Sequence, residues 1–157
     1  GGTIAGSATV CTGTNSTTLT LSGHTGTITK WQSATAADFS GTVTCNSIFI
    51  DASSSSNVAL NMATDDIAVN LSSSSSVSLK GKTDNLAIDA SSSADCDAKE
   101  LISNVAQVSA STSSDIQVLA LKGLDATAST SASIKYYGKL DKVKITESTS
   151  GSVEQVK

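Results

Sequence analysis

An all-β chain wound as a parallel β-helix of about six coils is the fold this sequence predicts, and three observations predict it. A serine-rich phrase recurs six times, as ASSSSNV from 52, LSSSSSV from 71, ASSSADC from 90, ASTSSDI from 110, ASTSASI from 128 and ESTSGSV from 147. The starts are 19, 19, 20, 18 and 19 residues apart, and a period in this range means stacked coils. Apolar residues also hold fixed places relative to every serine run, and they alternate with polar ones, the pattern of strands with one buried face.

The strand before the serine run comes first in each coil. Four residues ahead of the run stand Ile48, Ile67, Leu86, Ala106, Leu124 and Val143; two ahead stand Ile50, Val69, Ile88, Val108, Ala126 and Ile145. Both columns are apolar throughout. Phe49, Ala68, Ala87, Gln107, Asp125 and Lys144 lie between them and Asp51, Asn70, Asp89, Ser109, Thr127 and Thr146 just after, together mostly polar and facing out. The run itself is the corner. Beyond it a second strand places Val58, Val77, Cys96, Ile116, Ile134 and Val153 inward, followed by Leu60, Leu79, Ala98, Val118, Tyr136 and Gln155.

The return segments NMATDD, KGKTDN, KELISN, LALKG and YGKLDK share Gly, Asp and Asn turn residues but no common length. They predict a looser third side with Met62, Leu101 or Ile102, Leu121 and Leu140 turned inward. The stretch from Asp97 to Val108 also reads as a helix with Leu101, Val105 and Val108 on one face. Its neighbours in the repeat cannot be helical, so the strand reading ranks higher. A single coil cannot bury enough apolar surface to offset its ordering entropy. Stability therefore grows with coil number, and the ends are the weak points.

Composition narrows the function classes. Of 157 residues 15% are charged and 3% aromatic, with no proline. So serine-rich a chain suggests disorder or a glycosylated stalk, yet a disordered chain has no reason to keep Val and Ile in register. The net charge is −4 and all ten basic residues are lysine, which disfavours nucleic acid. No apolar run approaches a membrane span. No signal peptide is visible, and the Gly1–Gly2 start reads as a mature terminus.

Residues 1–45 do not fit the repeat and are expected to form a separate amino-terminal β segment, with 46–157 as the coil array. They hold Cys11, Trp31 and Cys45, and the strand-like TTLTL and GTITKW joined by the turn SGH. The order Cys, Trp, Cys and the stretch VCTGTNSTTLTLSGHTGTITKWQSATAADFSG resemble the opening strands of Ig-like modules of secreted surface proteins. In that setting Cys11 and Cys45 would form a disulfide. A second reading makes the same strands a capping coil, since TLTLSGHTGTIT echoes KITESTSGSVEQ.

Beyond residue 46, KTDNLAIDASSSADCDAKEL, LKGLDATASTSASIKYYGK and KVKITESTSGSVEQVK resemble the repeating part of the GIN domain, described as the head domain of autotransporter adhesins in Bacteroidota. The resemblance covers about two thirds of the chain. It implies a right-handed parallel β-helix outside the cytoplasm, on the cell surface or in the periplasm, with an adhesin role assigned by analogy and no established catalytic residues. Family coils carry a Gly-Ser-Gly corner where this chain has serines, and only Gly151 keeps the glycine. Serine can make that corner if no position demands positive φ.

No residue set stands out as catalytic or metal-binding, and no cofactor is implied. His24, the one histidine, lies in the turn SGHTG, where an exposed turn residue is a better reading than a Ser/His/Asp arrangement. Cys96 falls in a Val/Ile column and reads as a buried thiol. No two cysteines have zinc-ligand spacing. Asp95, Asp97 and Asp115 align near one another, as do Asp51 and Asp89, and paired acids could cleave a glycosidic bond or hold calcium. Neither chemistry has a motif here, and a solvated polar face explains them. Tyr136 faces inward and Tyr137 outward, so one ring at most could stack on a sugar. The Ser/Thr corners form a ladder of hydroxyls that either lies along a glycan or partner or satisfies its own backbone.

Two classes of function follow. The first is a non-catalytic surface or secreted module, adhesin-like or structural, meeting surface glycans or other cell-surface proteins. The second is a lyase or glycosidase built on a β-helix. The last coil, with Val153 and Val156 and no visible cap, also raises end-to-end self-association.

Overall fold

The computed structural model describes residues 4–5, 20–21 and 37–157 of the chain. Two short strands, β1 (Ile4–Ala5) and β2 (Thr20–Leu21), pair antiparallel. All else described is one parallel array: β3 (Ala37–Ala52), β4 (Asn57–Leu71), β5 (Ser76–Ala90), β6 (Asp95–Ala110), β7 (Asp115–Ala128), β8 (Ser133–Tyr137), β9 (Lys142–Glu147) and β10 (Ser152–Gln155). Each strand from β3 to β7 pairs in parallel with the next, so the chain is a β-solenoid of about six turns. Strand β3 runs across the expected boundary at 45/46, with Thr42–Cys45 already paired to Asn61–Thr64. Asp97–Val108, for which a helix was the lesser reading, lies within β6.

The register stacks equivalent residues one winding apart. Ile48, Ile67, Leu86, Ala106, Leu124 and Val143 are successive partners, as are Ile50, Val69, Ile88, Val108, Ala126 and Ile145. Val58, Val77, Cys96, Ile116, Ile134 and Val153 make the third column. Interior members are buried because windings cover them from both sides. Val143 and Ile145 are instead 44% and 43% exposed, since β9 pairs on one side only, with β7.

From β3 to β7 the return is no loose segment, since the ladder runs through it; only residues 138–141, between β8 and β9, leave the strands. Each long strand instead bends at a second corner, where two successive residues face out and the alternation slips by one. Asp65 and Asp66, Asp84 and Asn85, and Leu121 and Lys122 are such pairs. Met62 and Leu101 are buried there, Ile102 is exposed, and Leu140 packs against the core edge. Leu121, expected inward, is 46% exposed, and the fully buried Ala120 takes its place. The cause is the 18-residue spacing, for which the β6–β7 register shifts twice: Ala98 and Ile102 pair with the consecutive Val118 and Leu119, and Ser103 and Val105 with Ala120 and Gly123. The 20-residue spacing has the opposite cause. Strand β6 carries an extra residue between Asp97 and Glu100, and the displaced Lys99 donates its backbone N–H and its Nζ to the Asp97 carboxylate at 3.2 and 2.7 Å.

The interior is not wholly apolar. Thr64, Thr83 and Ser103 are buried at the second corner, where Thr83 Oγ1 donates to the Asp65 carbonyl at 3.0 Å and Ser103 Oγ to the Leu119 carbonyl at 2.7 Å. Ser56, Ser75 and Ser114 are buried just after the serine corner. A hydroxyl fits inside when a neighbouring winding offers it a carbonyl.

Candidate functional surface

The serine corners are two-residue turns with positive φ at both central residues, the type I′ geometry. The twelve residues concerned, from Ser54 and Ser55 to Thr149 and Ser150, have φ between 47° and 64°, and none is glycine. The condition under which serine was expected to make this corner, that no position demands positive φ, is not met, and serine and threonine make it nonetheless. Left-handed backbone strains any L-residue with a Cβ, a β-branched one most. Hydrogen bonding offsets that strain. Within each corner the fourth residue donates its N–H to the first, as Ser56 does to Ser53 at 3.2 Å and Gly151 to Ser148 at 2.8 Å. Between corners, the N–H of Ser55, Ser74, Ser93, Ser113 and Ser131 each reaches the carbonyl of the next winding at Ser73, Ser92, Thr112, Thr130 and Thr149, at 2.9–3.1 Å. The corner backbone is thus a hydrogen-bonded ladder of its own, and the side chains of both central columns are exposed.

The ionisable residues singled out from the sequence spread along this rod. Asp95 and Asp115 are ladder partners and both exposed, while Asp97 is held by Lys99. That pairing keeps the Lys99 ammonium above the ordinary lysine value, through the hydrogen bond first and the charge second. Asp51 and Asp89 stand in one column with Asn70 between them. Among the described residues no three His, Cys, Asp or Glu side chains gather as a metal site. Tyr136 is buried; Tyr137 is half-buried and donates its hydroxyl to Gln117 at 3.2 Å. Cys96 is a free thiol deep in the core, where burial, seconded by Asp97, pushes it up to about 12. Cys45 is unpaired among the described residues and half-buried, raised by burial and by Asp65. Its expected disulfide partner Cys11 lies outside the described residues, as do His24 and Trp31.

A surface feature that the sequence reading passed over lies on the flank between the second corner and the serine corner. There Ala68 and Ala87 break a column of larger outward residues, leaving a groove of about 550 Å³ between Phe49 and Gln107. Its signal in the sequence was two small residues at outward positions of adjacent repeats.

These features define a parallel β-solenoid domain whose acids line its outside without converging. Its residues 27–139 match the family described as "Putative auto-transporter adhesin, head GIN domain", and the chain belongs to that family. No curated protein matches the chain. Among the described residues no helix is long and apolar enough to cross a membrane.

Proposed function

We propose that this chain is a non-catalytic, adhesin-like module of the cell exterior, a rod whose flanks and Ser/Thr corners meet surface glycans or other cell-surface proteins. The observation that carries this reading is the family match over most of a rigid solenoid, supported by the arrangement of its ionisable groups. A polysaccharide-cleaving site needs an acid and a second carboxylate set on either side of one bond. Asp95 and Asp115 stack along one column instead, and Asp97 and Asp125 are tied to Lys99 and Lys144. The corner hydroxyls repeat at about the 4.8 Å strand spacing, which gives a partner surface a regular, uncharged, hydrogen-bonding row.

The test is adhesion without turnover. Beads coated with the intact chain should bind cells or immobilised glycans, protease added to whole cells of the source should reach the domain, and incubation with polysaccharides should release no new reducing ends. Sustained release of reducing ends or of unsaturated sugars would overturn the reading, as would a failure of coated beads to bind any cell or glycan surface.

A further inference from the structure

Successive windings set three outward columns side by side on the groove-bearing flank. These are Ser47, Asp66, Asn85 and Val105; Phe49, Ala68, Ala87 and Gln107; and Asp51, Asn70, Asp89 and Ser109. The two alanines reduce the middle column to methyl groups over two windings, and they belong to both adjoining depressions of this face. Phe49 closes the floor at one end and Gln107 at the other. Asp66 and Asn85 rise along one side, Asn70 and Asp89 along the other.

We propose that this depression is a binding site for a short neutral saccharide. The floor is apolar, made of two methyl groups with Phe49 at one end, and suits the C–H face of a pyranose ring. The rim is amide and carboxylate, so donors and acceptors alternate where the ring's equatorial hydroxyls would point. Asn85 Nδ2 already donates to an Asp66 oxygen at 2.8 Å, which fixes both side chains. That bond uses one amide proton and one carboxylate oxygen, leaving the Asn85 carbonyl and the other Asp66 oxygen for a ligand.

Charge decides the class. Asp66, Asp89 and Asp125 supply three carboxylates and none of the lining residues is basic, so uronic acids, sulfated glycans and phosphates are repelled. Lys144, farther along the middle column, is held by Asp125 at 2.9 Å. From Phe49 to Gln107 is three windings, about 15 Å at the usual strand spacing, room for a short oligosaccharide along the rod. The site is open and buries little of a ligand, so single-site affinity is weak and adhesion depends on many copies acting together. This inference rests on the reading of the domain as a surface-binding module, and it places the contact on the flank, not at the serine corner.

The experiment is amide chemical-shift mapping of the isotopically labelled chain with cellobiose, N,N′-diacetylchitobiose and methyl β-galactoside as neutral probes, glucuronic acid as an acidic one and spermidine as a cationic one. Expected are fast-exchange shifts at Phe49, Ala68, Ala87 and Gln107 with at least one neutral probe and none with glucuronic acid. Ala87→Lys, at an exposed position, should weaken that response by at least about tenfold while circular dichroism and the thermal midpoint stay unchanged. Phe49→Ala should weaken it as well. Shifts at the serine corners alone would overturn this site, as would a response to spermidine only or to no neutral probe. Ala87→Lys beads that adhere like the unsubstituted chain would sink the flank site and leave the adhesin reading standing; unsubstituted beads that fail to adhere would sink the adhesin reading itself.

Discussion

The Ser75 hydroxyl, wholly buried, donates to the carbonyl of Ala52 in the preceding winding at 3.0 Å and accepts the N–H of Ser72 at 3.2 Å. Ser114 repeats this with the Ala90 carbonyl at 3.0 Å and the Ser111 N–H at 3.0 Å. Ser56 occupies the same place one winding before Ser75, and its Oγ has no partner among the described residues. A satisfied buried hydroxyl contributes about 1 kcal/mol, and an unsatisfied one costs about as much or more. Ser75→Ala should therefore lower stability by about 1 kcal/mol, and by no more, because the Ala52 carbonyl keeps the Ser72 N–H at 3.0 Å. Ser56→Ala should leave stability unchanged or raise it. Urea midpoints that move down equally for both variants would contradict this account.

Thr112, Thr130 and Thr149 hold φ of 52°, 51° and 47°, and a β-branched residue in that region is strained. Thr130→Asn keeps a polar side chain and relieves the strain, since asparagine tolerates left-handed backbone. The expected outcome is a gain of roughly 0.5–1 kcal/mol, with no change in the corner hydrogen bonds. Thr130→Val, which removes the hydroxyl and keeps the branch, should not stabilise. Differential scanning calorimetry of the two variants separates relief of backbone strain from loss of side-chain polarity.

Two glycines combine positive φ with a close backbone approach. Gly81 has φ of 109°, and a Cβ there would lie 2.0 Å from the Met62 carbonyl oxygen; Gly138, also at 109°, would meet the Ala120 carbonyl oxygen at 2.1 Å. Backbone cannot step aside as a flexible side chain can. Gly81→Ala should cost on the order of 3 kcal/mol, more than the same change at Gly41, where a Cβ meets nothing within 4 Å. Equal thermal midpoints for the Gly81 and Gly41 variants would show that the close approach to Met62 is not real.

The apolar columns were legible in the sequence because a fixed period lets six weak signals add, and Val77, Cys96, Ile116 and Ile134 stand one above another as that period implies. Leu121 was misplaced for the same reason: the inward register there follows the ladder through an 18-residue spacing, and the sequence does not say at which residue the ladder skips. Thr64, Thr83 and Ser103 were not seen as interior, because polarity reads as exposure unless the carbonyl that receives the hydroxyl is known. The left-handed corners were hidden too. Serine has no compositional preference that announces positive φ, and the cross-winding bonds that hold it there exist only after the coils stack. The flank groove was hardest to find, since it is defined by what Ala68 and Ala87 lack.

Burial raises the Cys96 thiol from an ordinary 9.0 to about 12. The folded chain therefore keeps its proton over a range in which the unfolded chain has lost it. Below pH 9 both states bind the proton and nothing changes. Between pH 9 and 12 the unfolded state alone is deprotonated, so stability falls as pH rises, by up to about 1.4 kcal/mol per pH unit. Cys96→Val, matching the Val and Ile of its column, should remove this part of the alkaline slope. Native-state alkylation with iodoacetamide should modify half-buried Cys45 well before Cys96, and equal rates would place Cys96 outside the core.

Position along the rod should set the cost of a core truncation. Val108 is 2% exposed with a winding on each side, whereas its column-mate Ile145 is 43% exposed and covered from one side only. Truncating a buried aliphatic side chain to alanine costs about 2–4 kcal/mol through lost transfer energy and the cavity left behind, while a half-exposed one leaves no cavity. Val108→Ala should therefore lower the global unfolding midpoint. Ile145→Ala should leave it nearly unchanged and instead raise hydrogen exchange in β9 and β10, the windings whose stability is local. A cost at Ile145 equal to that at Val108 would mean that the last winding is covered in solution, and sedimentation at increasing concentration would then show whether a second copy of the chain covers it.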